Sequence, residues 1–249
     1  MTAALFLIEP AVAAAAGVGD VISLTGPEGR HAVTVKRVGV GEQIALGDGI
    51  GTLLHAVVES LGGRDSLRAR VQARTDSPSP SLRIVVVQAL PKGERGETAV
   101  ETLTEVGVDV IVPWQAERTV ARWSGDRAER GRAKWAAAAL AATKQARRPW
   151  IPEIAPLART ADVEALVATA ACAVVLHETA DAPLRDIPMP SEGDVVLIVG
   201  PEGGLSPDEL DRLTAAGAQP ARLGPTVMRT STAGTVAAAL VLAGTERWS

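Results

Sequence analysis

The chain has 249 residues, 47% of them hydrophobic and 22% charged, which is typical of a globular protein with one large domain or two smaller ones. Aromatic residues make up only 2%, which argues against an RNA-binding protein that stacks bases on a row of rings. A single cysteine excludes an internal disulfide, and three scattered histidines indicate no metal-binding cluster.

The formal net charge is −4, but the charge is unevenly distributed along the chain. Residues 82–150 carry 12 basic and 8 acidic side chains, whereas residues 151–249 carry 6 and 13. A basic segment within an acidic protein is the pattern expected if one surface binds a polyanion. The N-terminus lacks the basic region of a secretory signal, and no apolar stretch is long enough to span a membrane. We therefore expect a cytoplasmic protein.

The first third of the chain predicts a small β-barrel, because short β-branched or alternating runs are separated by turns. Gly47-Asp48-Gly49 is a strong hairpin signal between two of these runs. Basic residues lie at both ends of the second run: Arg30 and His31 at its start, and Lys36 and Arg37 at its end. They are either solvated turn residues or contacts to phosphate groups. The predicted strands cover residues 20–24, 32–36, 43–46, 52–58 and 67–71.

A stiff polar segment with two prolines, residues 76–81, is the best domain boundary in the sequence. Beyond it strands and helices alternate, which predicts an α/β domain with a parallel sheet and right-handed crossovers. The expected strands lie at 82–90, 108–112, 170–176, 195–199 and 221–224, and the clearest helices at 97–106, 126–148 and 233–242. We expect a first domain over residues 1–76, a linker over 77–81 and a second domain over 82–249.

The most informative stretch covers residues 195–209. Five apolar residues predict a strand buried on both faces, and a loop with three glycines, residues 200–204, follows it. Ser206 is then expected to be the N-cap of a helix, and Glu209, three residues later, to complete a capping box. Such an edge at the carboxyl end of a parallel strand is a common ligand site in α/β proteins. A tight strand-to-helix connection without a ligand explains the pattern equally well.

Arg229 is an isolated cation between a glycine-containing loop and an apolar helix. Each of the next three residues, Thr230, Ser231 and Thr232, is an acceptable N-cap for that helix. Arg229 is either a surface charge, a partner for a carboxylate or a functional residue. We favour the functional interpretation, because no residue near it in the sequence needs a cation.

Two segments, residues 200–209 and 223–233, resemble the C-terminal signature of the ribosomal RNA small subunit methyltransferase E family. The resemblance continues upstream and covers nearly the whole chain; the matching segments are Lys92, Glu101–Val108, Glu117–Val120, Gln145–Arg147 and Arg30–Arg37. It implies a PUA-like β-barrel domain that binds RNA, followed by a SPOUT-class domain with a deep trefoil knot that homodimerises. It also implies methyl transfer from S-adenosylmethionine to N3 of a uridine in the 16S ribosomal RNA of the small subunit.

The resemblance and the three strand-end loops together suggest the site. The residues expected to bind the cofactor are Leu176, His177, Glu178, Gly200, Pro201, Glu202, Gly203, Leu223, Gly224, Met228 and Thr230. Arg229 is expected to stabilise negative charge on the uracil oxygens, and Glu202 is a weaker candidate for the general base. The residues expected to hold RNA are Arg30, His31, Arg37, Lys92, Arg95, Arg118 and Arg147.

The chain departs from the family pattern at four positions. Thr226, Met228 and Ser231 stand where arginine, leucine and glutamate are usual, and Lys144 stands in place of a glutamate. Losing an acidic residue at position 231 removes a possible partner for Arg229 or a possible catalytic carboxylate. Two alternatives therefore remain: a SPOUT enzyme that methylates a ribose 2′-hydroxyl of ribosomal or transfer RNA, and a non-catalytic RNA-binding factor in ribosome assembly.

Overall fold

The computed structural model describes residues 3–93 and 95–248, and its chain divides into two compact units. The first unit consists of Met1–Ser79 together with Thr143–Ile151. The second consists of Pro80–Ala142 together with Pro152–Ser249. Each unit has a β-sheet and a hydrophobic core of its own.

The first unit is built on a five-stranded sheet with the order β1-β3-β4-β5-β2. Its strands are β1 (Ala4–Leu7), β2 (Val21–Leu24), β3 (Gln43–Gly47), β4 (Thr52–Leu61) and β5 (Leu67–Asp76), and its helices are α1 (Pro10–Ala15) and α2 (Gly26–Arg30). β1 pairs with β3 in parallel, and the other pairs are antiparallel. The predicted hairpin between β3 and β4 is confirmed. Its turn is closed by the Asp48 carboxylate, which accepts hydrogen bonds from the backbone N–H groups of Ile50 and Thr52 at 2.8 and 2.9 Å.

The strand expected over residues 32–36 is wrong, because this segment is helical. α2 continues directly into a π-helical turn, His31–Val35, in which the Lys36 N–H donates to the His31 carbonyl oxygen. Pro27 lies in the first turn of α2, and Ala32 is fully buried in the core. The β-branched residues of the segment suggested a strand, but packing of this face into the core overrides that weak local preference.

The second unit is built on a six-stranded parallel sheet with the order β11-β9-β10-β6-β7-β8. Its strands are β6 (Leu82–Ala89), β7 (Val110–Trp114), β8 (Glu153–Ile154), β9 (Cys172–Leu176), β10 (Gly193–Val199) and β11 (Gln219–Ala221). Its helices are α3 (Arg95–Val106), α4 (Asp126–Ala146), α5 (Thr160–Thr169), α6 (Pro207–Ala215) and α7 (Thr230–Leu242). The parallel α/β arrangement expected from the alternating pattern is confirmed.

β10 is buried on both faces, as its uninterrupted apolar run predicts. Val195, Leu197 and Val199 pack into one core cluster, and Val196 and Ile198 pack into the other. β6 and β9 flank β10, so three strands end side by side at one edge of the sheet. That edge carries the candidate site.

Both helices that follow this edge begin at defined residues. The predicted capping box is confirmed at α6, where the Glu209 N–H donates to Ser206 Oγ and the Glu209 carboxylate accepts from the Ser206 N–H. α7 begins at Thr230, three residues before the expected start. Its N-cap is Arg229 and not one of the three hydroxyl residues that follow.

Candidate active site

A cleft of about 300 Å³ lies at the carboxyl ends of β9, β10 and β11. The residues that line it come from three chain segments, within 176–178, 199–205 and 221–233. Ten of the eleven residues expected to bind the cofactor line it, namely Leu176, His177, Glu178, Gly200, Pro201, Glu202, Leu223, Gly224, Met228 and Thr230. The sheet order therefore brings together segments that are far apart in the sequence.

Gly203, the eleventh expected residue, does not line the cleft but contacts the segment after β7. A Cβ atom added at Gly203 would lie 3.3 Å from Arg118 Cβ. The Arg118 guanidinium also donates to the carbonyl oxygens of Gly203 and Leu205, at 3.5 and 3.1 Å. Arg118, which we expected to contact RNA, thus already supports the glycine-rich loop.

The glycine-rich loop turns back on itself at Gly204, whose φ of +70° is readily adopted only by glycine. The Gly204 N–H donates to the Pro201 carbonyl oxygen at 2.9 Å. Leu205 is buried and covers the end of the loop, immediately before the capping box of α6. The loop is therefore fixed at both ends while its residues line the cleft.

Glu202 has a structural contact that the sequence did not indicate. Its carboxylate accepts a hydrogen bond from the Lys92 N–H at 3.1 Å, which joins the loop after β10 to the loop after β6. The side chain of Glu202 is exposed and still lines the cleft. Glu202 can therefore hold a loop in place, accept a proton, or do both.

Gln88 is a positioning residue that sequence reasoning missed. It is buried at the end of β6 and donates from Nε2 to the carbonyl oxygens of Ala89 and Thr230, at 3.1 and 3.2 Å. Thr230 in turn donates from Oγ1 to the Gly200 carbonyl oxygen at 3.1 Å. These bonds join the ends of β6, β10 and α7. The one signal in the sequence was a glutamine within the apolar run of residues 82–90.

Arg222 is a second missed residue. Its guanidinium donates to the carbonyl oxygen of Ala180 at 2.7 Å and to that of Asp181. Its backbone N–H donates to the Ala182 carbonyl oxygen at 2.9 Å. Arg222 thus holds the segment after β9 against the segment after β11. No sequence pattern indicated this, because the partners lie about forty residues away.

His177 and Glu178 form the wall of the cleft after β9. The His177 N–H donates to the Ala221 carbonyl oxygen at 2.9 Å, and its ring Nδ1 lies 3.0 Å from Thr179 Oγ1. Glu178 is exposed and, like Glu202, places a carboxylate at the cleft. Apolar side chains of Leu176, Val199 and Leu223 complete this part of the lining. Apolar walls with a few polar and charged groups are typical of a small-molecule site.

Arg229 is exposed, lines the cleft and occupies the N-cap of α7. Its guanidinium makes no hydrogen bond or ion pair with any residue that the structure describes. A cation at a helix N-terminus is electrostatically unfavourable, because the helix dipole places partial positive charge there. Arg229 therefore contributes nothing evident to the fold, and its charge is free to meet an anionic group in the cleft.

The residues at which the chain departs from the family pattern occupy different places. Thr226 and Met228 are exposed and line the cleft, whereas Ser231 is buried in the first turn of α7. Lys144, in the first unit, pairs with Glu28 at 2.6 Å. The departures at 226 and 228 therefore alter the cleft itself.

The residues expected to bind RNA are divided between the two units. Arg30, His31, Arg37 and Arg147 belong to the first unit, and Lys92, Arg95 and Arg118 belong to the second. The arginines and Lys92 are exposed. Arg118 is held by carbonyl oxygens, whereas the other arginines and Lys92 form no ion pair with a described residue. These other cations are therefore available for phosphate groups.

His31 lies in a small polar cluster of the first unit. Its ring packs edge-on against Phe6 at 6.0 Å, near the pair formed by Lys144 and Glu28. Glu28 also accepts a hydrogen bond from the Leu7 N–H at 3.0 Å. Burial lowers the pKa of His31 below its ordinary 6.5, and the positive charge of Lys144 lowers it further.

Two classes of site are absent from the part of the chain that the structure describes. No group of three or more histidine, cysteine or acidic side chains there is arranged to hold a metal ion. None of its helices combines the length and the apolar character needed to span a membrane.

Comparison with known proteins identifies similar sequences and structures. Residues 77–242 match the RNA methyltransferase domain family, and residues 24–72 match the RNA methyltransferase PUA domain family. The chain is 47% identical to ribosomal RNA small subunit methyltransferase E of Mycobacterium bovis over 234 residues, which cover 92% of this chain and 89% of the relative. It is 26% identical to the Bacillus subtilis enzyme of the same name, over 85% of each chain.

A solved structure is also similar over nearly the whole chain. It is the crystal structure of a ribosomal RNA small subunit methyltransferase E from Neisseria gonorrhoeae bound to S-adenosyl methionine. The TM-score is 0.83 at 26% identity, and the match covers 97% of this chain and 98% of the other.

Proposed function

The chain belongs to the ribosomal RNA small subunit methyltransferase E family, and we propose that it methylates N3 of one specific uridine in 16S ribosomal RNA. S-adenosylmethionine is the methyl donor. The observation that carries the proposal is the cleft at the strand ends, where an unpaired Arg229 faces a backbone-lined pocket.

The residues of the cleft fit the methyl donor. The cleft has a volume of about 300 Å³, which lies at the lower end of the range usual for small-molecule sites. The segments 176–178, 200–204 and 223–230 would hold the donor through backbone groups, and the exposed carboxylate of Glu178 would attract its positive charge. When bound, this cofactor supplies a methyl group on a sulfonium that is already a good leaving group.

The protein's own contribution is positioning and electrostatics. Holding the uracil ring in line with the methyl group is worth roughly 7–11 kcal/mol in well-oriented reactions. Arg229 would donate to the uracil oxygens as negative charge develops when N3 loses its proton. Because the guanidinium has no described protein partner, no existing interaction has to break before it meets the substrate.

Glu202 is the candidate for the base that removes the N3 proton, a role typically worth a factor of about 10²–10⁴ in rate. Glu202→Gln separates this role from the loop contact, since glutamine keeps an oxygen that can accept from the Lys92 N–H. We expect the glutamine variant to bind the donor normally and to methylate slowly. A glutamine variant as active as the wild type would remove Glu202 from the chemistry.

Ribosomal RNA would be held by the exposed basic residues Arg30, Arg37, Lys92, Arg95 and Arg147 and by the partly buried His31, mainly through phosphate groups. We also propose that the enzyme acts as a cytoplasmic homodimer. The support is α7, which contains no charged residue yet exposes Leu240 and partly exposes Val236 and Ala239. A helix that is apolar on every face is normally covered.

The test uses small ribosomal subunits from a strain that lacks this protein. The subunits are incubated with the purified protein and deuterated S-adenosylmethionine, and their nucleosides are analysed by mass spectrometry. We expect one deuterated methyl group per subunit, located on a uracil base. A label on ribose would identify a 2′-O-methyltransferase, and subunit binding without any label would indicate a non-catalytic assembly factor.

A further inference from the structure

A second cleft, of about 330 Å³, lies in the second unit and is lined by residues that the proposed mechanism does not use. One wall is formed by residues 90, 91 and 93 after β6 and by Gly96 and Glu97 at the start of α3. The other wall is the first turns of α4 and the segment before it, from Ala121 to Trp135. We call it the Trp123 cleft.

Two indole rings are built into the Trp123 cleft, and each fits against a helical glycine. A Cβ atom added at Gly131 would lie 2.5 Å from the Trp123 ring, and one added at Gly96 would lie 2.7 Å from Trp135 Nε1. The two rings meet edge to face at 5.2 Å. Glycine inside a helix costs about 1 kcal/mol relative to alanine, but at these two positions only glycine leaves room for the rings.

Trp123 is half-buried: one face lies on α4 at Gly131, and the ring lines the cleft. Neither indole N–H of Trp123 or Trp135 donates a hydrogen bond to a residue that the structure describes. Trp135 is only 2% exposed. A buried tryptophan usually finds a partner for its N–H, so this cleft offers an unused donor as well as an aromatic surface.

Three cations of α4 also line the Trp123 cleft: Arg127, Arg130 and Lys134. Their spacing of three and four residues places them on one face of the helix, the face that contains Gly131. All three are exposed, and none forms an ion pair with a described residue. Among the described lining residues, Glu97 is the one acidic side chain.

We propose that the Trp123 cleft binds a nucleotide of the RNA substrate that lies near the methylated uridine. Its base would stack on Trp123, and its phosphates would contact Arg127, Arg130 and Lys134. Single-stranded RNA would use both the aromatic ring, by base stacking, and the cations, by phosphate contacts. An acidic peptide would use the cations alone, so the combination of groups favours RNA. The low aromatic content of the chain argues against a row of stacking rings, but it is compatible with a single stacking residue such as Trp123.

The Trp123 cleft is linked to the active site by one loop. In this loop, Leu90, Pro91 and Gly93 line the Trp123 cleft, and the Lys92 N–H donates to the Glu202 carboxylate at the active site. The two clefts therefore border the same loop. This inference rests on the proposed function, because it assigns part of the substrate of that same enzyme.

The first test compares Trp123→Ala with Trp123→Phe. Losing a stacked base costs about 5- to 150-fold in affinity, so we expect kcat/KM for unmodified small subunits to fall by that factor in the alanine variant. Phenylalanine keeps an aromatic ring, so the Trp123→Phe variant should retain most of the wild-type kcat/KM. The affinity for S-adenosylmethionine, measured by calorimetry, should be unchanged in both variants. Equal kcat/KM in wild type and Trp123→Ala would overturn the proposal.

The second test measures binding of a 12-nucleotide oligouridylate as a function of salt. The double variant Arg127→Gln and Arg130→Gln should flatten the logarithmic salt dependence by about 0.7 for each phosphate that is no longer neutralised. Arg185→Gln is the matched control, since this arginine is exposed in the same unit and lies outside both clefts. An unchanged slope in the double variant would contradict phosphate binding at the Trp123 cleft.

The two proposals fail in different ways. If the wild-type protein does not methylate subunits, the proposed function is wrong, but oligouridylate binding still decides whether the Trp123 cleft holds RNA. If the wild type methylates subunits and the variants match it in both assays, only the Trp123 cleft is excluded.

Discussion

At the scale of single residues, Arg229 shows a conflict between fold and function. A serine at a helix N-cap accepts a hydrogen bond from the first turn, whereas Arg229 caps nothing with its side chain. The sequence indicated that this cation was unusual, because nothing near it required one. The structure adds that it stands at the positive end of α7 and at the cleft.

We therefore predict opposite effects of Arg229→Ser on stability and on activity. Replacing a cation by a capping hydroxyl should raise the free energy of unfolding by about 0.5–1 kcal/mol. Removing the donor to the uracil oxygens should lower kcat by about 10²–10³-fold, with donor affinity unchanged. Urea unfolding, calorimetry and single-turnover methylation measure the three quantities. Wild-type kcat in this variant would contradict the catalytic role.

The His31 cluster gives a second prediction at this scale. Burial and the charge of Lys144 lower the pKa of His31 in the folded chain, whereas in the unfolded chain the ring has its ordinary pKa of 6.5. Below pH 6.5 the unfolded chain therefore binds a proton at His31 more readily than the folded chain does. Protonation of His31 therefore opposes folding at low pH. The contribution of this group to stability rises as the pH increases to about 6.5, above which the penalty is gone.

Lys144→Met should raise the pKa of His31, since it removes the larger of the two lysine contributions and leaves Glu28 unpaired. Lys36→Met is the control, because Lys36 makes the smallest contribution to the lowered pKa. Titration of the histidine ring protons by NMR gives the pKa in each variant. A shift in the control as large as that in Lys144→Met would show that Lys144 has no special influence.

At the scale of elements, apolar patterns predicted most of the structure. The run of residues 195–199 became a strand buried on both faces, and Ser206 with Glu209 marked the start of α6. Errors arose where local pattern and packing disagree: residues 32–36 are helical, β1 was not predicted, and the last strand ends at Ala221 instead of beginning there.

The cleft was predictable because parallel strands end at one edge, whatever the details of their contacts. The roles of Gln88 and Arg222 were not predictable, because each side chain donates to carbonyl oxygens that are distant in the sequence and close only in the fold. The same holds for Arg118. Its charge suggested RNA binding, but its hydrogen bonds support the glycine-rich loop.

Arg118→Ala tests which role dominates. Losing the partly buried hydrogen bond from Arg118 to the Leu205 carbonyl oxygen should destabilise the ordered loop by about 1 kcal/mol. We therefore expect the affinity for S-adenosylmethionine to fall by about fivefold. Arg122→Ala is the control, because Arg122 is also exposed and bonds to the Glu117 carbonyl oxygen, away from the loop. Unchanged donor affinity with a weaker salt dependence of RNA binding would favour a phosphate contact for Arg118.

At the scale of the whole molecule, the family matches and the two sheet orders confirm a PUA-like domain and a parallel-sheet methyltransferase domain. The domain boundaries and the trefoil knot stay predictions. A knot could not be derived from hydrophobic patterns, because it depends on how the chain is threaded and not on which faces are buried.

The exposed apolar face of α7 predicts the oligomeric state. We expect light scattering to give a mass twice the 25.7 kDa of one chain and Leu240→Asp to shift it toward one chain. Val18→Asp, at another exposed apolar residue, should leave the mass unchanged. A dimer that survives Leu240→Asp would place the interface elsewhere.

The central claim is that three strand-end segments hold the methyl donor in front of Arg229. The most direct measurement is a crystal structure of the protein grown with S-adenosylmethionine. We predict density for the donor between residues 176–178, 200–204 and 223–230, with its methyl group open toward the Arg229 guanidinium. Density in the Trp123 cleft, or on any surface away from these three segments, would contradict the account.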